Sequence, residues 1–171
     1  MNTLPIGGTY FRIADQDWLN PIDPTFAAQE SGQRWNPAGL PCLYLNGDKP
    51  TARANVRHLY AGLPYGPDDF DPATAPLLIE VAIPAGISAD AYTDEGLRTL
   101  GLPRTYPYDA SGQIIDHEMC QPIGANAWER GLDGISARSA AGGGDSELAW
   151  FPRDALAEVI TSRHFQEWWP L

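Results

Sequence analysis

Short runs of apolar and polar residues, most with a period of two, punctuate this chain of 171 residues and predict mixed structure. After a Gly7-Gly8 turn, residues 9–13 (TYFRI) read as a strand from their aromatic and β-branched content. Residues 14–33 carry Pro21, Asp23 and Pro24 and are expected to form a loop with a short helix at most. A second strand is expected over residues 42–45 (CLYL). A helix then follows Pro50, which suits a first helical turn. Within it Ala52, Val56 and Leu59, at i, i+4 and i+7, predict one apolar face, with Asn55 at its edge where it can look into a cleft.

Further on, residues 62–76 (GLPYGPDDFDPATAP) are left irregular, and residues 77–83 (LLIEVAI), bounded by prolines, form the clearest strand. Short helices are expected over residues 94–100 and within CQPIGANAWERG, the latter ending near Gly131. Residues 135–139 and 147–151 read as paired strands joined by a glycine-rich hairpin tip, and residues 159–161 as a last strand. Strands and helices without regular alternation indicate an α+β protein rather than a doubly wound sheet. The length fits one domain, residues 1–171, with a substantial core.

Composition narrows the function by exclusion. A formal charge of −11 argues against a nucleic-acid-binding surface, which needs clustered cations. Two cysteines, Cys42 and Cys120, are expected as free core thiols. The N-terminus lacks a basic region followed by an apolar run, and no stretch approaches the roughly 20 apolar residues of a membrane-spanning helix, so a soluble cytoplasmic protein is expected. The glycine-rich AGGGDS lacks the lysine and following helix of a phosphate-binding loop. His117 and Cys120 could begin a metal site, but no second ligand pair accompanies them and no metal is expected.

The stretch ESGQRWNPAGLPCLYLN (residues 30–46) carries more information. It sets Arg34 beside Trp35, turns through Asn36-Pro37, and enters an apolar strand containing Tyr44. A guanidinium held at a strand edge suits an anion, because its planar fork engages phosphate oxygens through two hydrogen bonds at once. Its ordinary alternative is an ion pair with Asp23 or Glu30. Arg12, Tyr44, Asn55 and Ser139, taken singly, have equally ordinary structural explanations.

Together, QRWNPAGLPCLYLN, TARANV and CQPIGANAWERGLDGISARSA resemble the RES-domain family, named for an Arg, a Glu and a Ser. The likeness runs from about Arg12 to Phe151, although Gln33 stands where the family usually has Gly. It implies a fold like the ADP-ribosyltransferase core, a split β-sheet with flanking helices. It also implies an NAD⁺-degrading toxin that works in some cases by phosphorolysis and is paired with an Xre-like antitoxin protein. On this resemblance Arg34 and Ser139 take the arginine and serine positions, Tyr44 lies on the matching strand, and Arg12 matches an early arginine. The glutamate position falls on Asn55.

Departure of nicotinamide builds positive charge on the ribose, which a carboxylate and a fixed diphosphate would favour. Arg34, with Asn55 and Ser139, is therefore expected at the reacting end of the site. Arg12 would take a second phosphate or the attacking inorganic phosphate, while Trp35 and Tyr44 would stack on a ring. NAD⁺ is then a substrate, with no resident cofactor and with inorganic phosphate as co-substrate. Because Asn55 has no charge, three outcomes stay open. Phosphate supplies the charge while Asn55 positions the ribose, another carboxylate such as Glu147 or Glu118 fills the place, or the domain binds a nucleotide without cleaving it. ADP-ribosyl transfer to a protein is the alternative reaction.

Overall fold

A computed structural model of the chain describes residues 1–141 and 145–169. In order, the elements are β1 (Thr3–Ala14), β2 (Leu43–Asn46), α1 (Lys49–Leu59), β3 (Leu77–Ala91), α2 (Asp94–Thr99), α3 (His117–Glu129), β4 (Gly134–Arg138), β5 (Ser146–Trp150), β6 (Glu158–Arg163) and α4 (Phe165–Trp168). Two 3₁₀ turns, Phe26–Ala28 and Pro67–Asp69, interrupt the loops. The protein is α+β, as expected, and its strands form one sheet in the order β1-β2-β5-β4-β3-β6. Because β1 also pairs with β3, five strands close into a ring and β6 is added against the first half of β3. The glycines 142–144 at the β4–β5 tip lie outside the described residues.

Two strands are longer than their local signals predict. Gly7-Gly8 makes no turn; it sits inside β1, at a register shift between Ile6 and Gly8. Gly7 has φ 136°, and a Cβ there would lie 2.8 Å from the Ala85 backbone, so a side chain is barred twice over. Opposite the shift, β3 runs straight through Pro84, which is exposed and takes no part in the ladder. A bulge tolerates the missing N–H that a regular central position would not.

Alternation along the strands sorts the side chains onto two faces. Leu43 and Leu45 of β2, Ile79 and Val81 of β3, and Leu148 and Trp150 of β5 pack as one buried cluster. The other face of β4 and β5 lies under α3, where Ile135, Ala137 and Ala149 meet Cys120, Ala127 and Trp35. The helix comes unusually close: a Cβ on Gly124 would fall 1.6 Å from the Trp35 carbonyl oxygen. Only glycine allows α3 to rest on the backbone that carries Arg34.

Helix α1 begins at Asp48, whose carboxylate accepts from the Thr51 N–H at 2.7 Å, with Pro50 in the first turn. Ala52 and Val56 are buried against Leu78, Phe165, Trp168 and Trp169. Leu59 departs from the expected apolar face, being 67% exposed. The helix ends there, and Leu59 stands at the rim of a cleft instead. The aromatic tail closes over the core: Phe165, Trp168 and Trp169 are all buried, and Arg53 donates from Nε and Nη2 to the Trp168 carbonyl at 2.9 and 2.6 Å. Cys42 and Cys120 are both buried free thiols.

Candidate active site

The turn after Arg34 is built by one buried amide. Asn36, fully buried, donates from Nδ2 to the carbonyls of Ala27 (2.7 Å) and Leu40 (3.0 Å) and accepts at Oδ1 from the Tyr44 hydroxyl (2.9 Å). The same hydroxyl accepts from the Trp35 N–H at 2.8 Å. A buried polar group needs its partners, and here the two bonds of the Tyr44 hydroxyl also tie the turn to β2. Gln121 of α3 completes the clamp by donating to the carbonyls of Ser31 and Gln33. Burial, the largest influence, holds the Tyr44 phenol well above its ordinary range, so the hydroxyl stays protonated as a donor.

Arg34 leaves this rigid turn and donates from Nη1 to the Ile115 carbonyl at 2.6 Å. That bond, rather than a pairing with Asp23 or Glu30, orients the guanidinium. Trp35 corrects an expectation: it is 2% exposed and packs against Tyr106, with ring centroids 5.7 Å apart. Its neighbour on the chain faces the cleft, so Trp35 must face the core, and it cannot stack on a ligand. The aromatic surface of the cleft comes from Trp18 and Phe26, stacked at 5.3 Å, in the loop whose punctuation concealed any function.

A cleft of about 550 Å³ gathers Arg12, Arg34, Tyr44, Asn55 and Glu147, with His58 and His117 also on its walls. That volume lies within the usual range for small-molecule sites, about 300–1,000 Å³. Arg12 is partly committed to structure, donating from Nε to the Pro21 carbonyl (2.7 Å) and from Nη1 to the Tyr44 carbonyl (3.0 Å). Its guanidinium also lies 5.4 Å from the centre of the Trp18 ring. Burial lowers its pKa to about 10, which leaves it a cation at neutral pH. His117 is lowered as well, by burial first and then by Arg34.

Asn55 and Ser139, 84 positions apart in the chain, meet through a third residue. Asn55 donates from Nδ2 to Asn46 Oδ1 (2.7 Å) and to Glu147 Oε1 (2.8 Å), and Ser139 Oγ donates to the same Glu147 oxygen at 2.6 Å. Register explains the meeting. Asn46 of β2 lies opposite Glu147 of β5, and Ala137 of β4 lies opposite Glu147 on the other side. Period two then brings Tyr44, Asn46, Glu147 and Ser139 to one face. Ser139 is 7% exposed and reaches the cleft through Glu147 rather than lining it.

Asn46 belongs to the site although no motif marks it. A polar residue ending the run Leu-Tyr-Leu was the available signal, because such a residue on a buried strand needs a specific partner. Among the described residues no group of three or more His, Cys, Asp or Glu could hold a metal ion. Cys120 lies on the buried face of α3, and burial raises its thiol pKa. No described helix is long and apolar enough to cross a membrane.

The cleft therefore offers a cationic end, an aromatic lip and one carboxylate fixed by an amide and a hydroxyl. Comparison with known proteins gives the family and the fold. The RES domain model matches residues 9–170, and the chain belongs to the RES domain family. Among solved structures, a chain in the crystal structure of the M. tuberculosis MbcT-MbcA toxin-antitoxin complex has a similar fold, with a TM-score of 0.77. The likeness covers 96% of this chain and 90% of that one, at 19% sequence identity. No curated protein matches.

Proposed function

We propose that this protein degrades NAD⁺ by breaking the nicotinamide–ribose bond, with inorganic phosphate as the acceptor, and acts as the toxin of a toxin–antitoxin pair. The observation that carries the reading is Arg34. A guanidinium pinned by the Ile115 carbonyl at 2.6 Å, on a turn locked by Asn36, faces a cleft that also contains Arg12. Two fixed cations in one cleft of a chain with charge −11 favour a dianionic diphosphate over a neutral ligand. Tyr44 and the Trp18–Phe26 stack supply flat surfaces for the rings of a dinucleotide. RES membership and a fold shared with a chain of a toxin–antitoxin complex support an antitoxin protein as partner.

In this reading Arg34 and Arg12 hold the diphosphate, so that the ribose lies toward Asn55 and Glu147. Proton NMR of the purified protein with NAD⁺, with and without phosphate, tests it. Phosphate-dependent release of nicotinamide is expected, and Arg34→Ala should lower it on the order of 10²–10³-fold, the scale for losing one fixed electrostatic contact. Release that ignores phosphate would move the acceptor to water or a protein side chain. An unaffected Arg34→Ala variant would remove the clamp.

A further inference from the structure

We infer that Glu147 is the carboxylate that faces the ribose during bond cleavage, and that Asn55 is the residue that holds it in place. The inference rests on the NAD⁺-cleaving reading above and deepens it. Among the described residues, Glu147 is the only acidic side chain lining the cleft. Its Oε1 accepts from both Asn55 Nδ2 and Ser139 Oγ, which leaves Oε2 to meet a ligand.

The residue at position 55 is dictated by this arrangement. Asn46 donates its own Nδ2 to the Phe11 carbonyl at 3.1 Å, so it turns Oδ1 toward α1. Position 55 thus faces two acceptors, Asn46 Oδ1 and Glu147 Oε1, and needs a group that donates to both. An amide nitrogen does so with its two hydrogens, whereas a carboxylate would meet an oxygen on either side. Two carboxylates at hydrogen-bonding distance also resist joint ionisation. The charge that Asn55 cannot supply comes instead from Glu147 on β5, in direct contact with it.

In the step itself the C1′–N bond of the nicotinamide ribose breaks, and its electron pair stays on the ring nitrogen, giving neutral nicotinamide. A phosphate oxygen forms the new C1′–O bond, giving the ADP-ribose 1-phosphate, and no proton need be removed from the phosphate dianion. Glu147 stabilises the positive charge that accumulates on the ribose between these two events. Asn55 and Ser139 are positioning residues that act through it.

The decisive variant is Glu147→Gln, which keeps an oxygen acceptor for Asn55 and Ser139 and removes only the charge. Nicotinamide release should fall on the order of 10²-fold, while affinity for ADP-ribose, read by calorimetry, changes by no more than about threefold. A folded Glu147→Gln protein with turnover close to wild type would overturn the assignment and leave NAD⁺ cleavage standing. Equal losses of turnover and affinity would overturn it too, by making Glu147 a binding residue. Should that variant fail to fold, Glu147→Ala assayed with and without added formate decides. Turnover that is lost without formate and restored by it to within about tenfold of wild type supports the role of the charge, and a folded variant that keeps wild-type turnover, or that formate does not restore, refutes it. If the wild type releases no nicotinamide, both this inference and the function it rests on fall together.

Discussion

Helix α1 joins two regions built on opposite principles. Behind it, Ala52 and Val56 meet an aromatic seam of Phe165, Trp168 and Trp169, extended by Phe70 and Tyr60. In front of it, Asn55 enters a polar network with Asn46, Glu147 and Ser139. The seam is stabilised by non-directional burial, which falls off gradually as side chains are trimmed. Each contact in the network has a donor and an acceptor, so one altered group leaves another unsatisfied. The difference teaches that stability and chemistry are separable here although they share one helix. The seam fixes where α1 lies, and the network uses that position.

Truncating the seam should have the largest effect on stability. Trp168→Ala removes a 3%-exposed ring that packs edge-on against Phe165 and Trp169. It should cost about 3–5 kcal/mol, or roughly 6–20 °C in melting temperature for a chain of this size, as calorimetry would read. Activity per folded molecule at low temperature should survive. Its disappearance would show that the seam and the cleft are not separable after all.

A smaller effect is expected where the helix starts. Asp48→Ala removes the cap on the Thr51 N–H and should cost about 1 kcal/mol. Urea unfolding would measure it. A nicotinamide-release rate that fell far more than this would mean that the first turn of α1 holds Asn55 in register and does more than stabilise.

The smallest effect concerns pH. His117 is exposed, yet partial burial and then Arg34 depress its pKa below the ordinary value. The folded state therefore binds its proton later than the unfolded chain does as pH falls. Its contribution is fully present above about 6.5 and is lost as pH drops through the lower folded value. Melting temperature should fall slightly between pH 7 and pH 5, and His117→Gln should lessen that fall. An unchanged slope in the variant would assign the acid sensitivity to other groups.

Much of this was legible along the chain because it depends on neighbours. The helix from Lys49, the strand carrying Tyr44, the helix ending before Gly131 and the hairpin of β4 and β5 all follow from local periodicity and turn residues. So does the turn at Asn36-Pro37, where a polar residue just before proline had to satisfy its own bonds. Other features had no local signal. Pro84 reads as a strand end, yet β3 passes through it because β3 bulges there, Pro84 and Ala85 standing opposite the single residue Gly7 of β1. Leu59 reads as core, yet the helix stops before anything can cover it.

The sequence by itself determined where most of the helices and the central parts of the strands lie, that Arg34 would be presented on a fixed turn, and that the residue on α1 beside the cleft carries no charge. Tertiary structure alone decided that Trp35 turns inward, that Trp18 and Phe26 form the aromatic lip, and that Glu147 comes to lie 2.8 Å from Asn55. The reason is separation. Asn55 and Glu147 are 92 positions apart, and only the antiparallel register of β2 with β5, fixed when the ring of strands closes, brings them face to face.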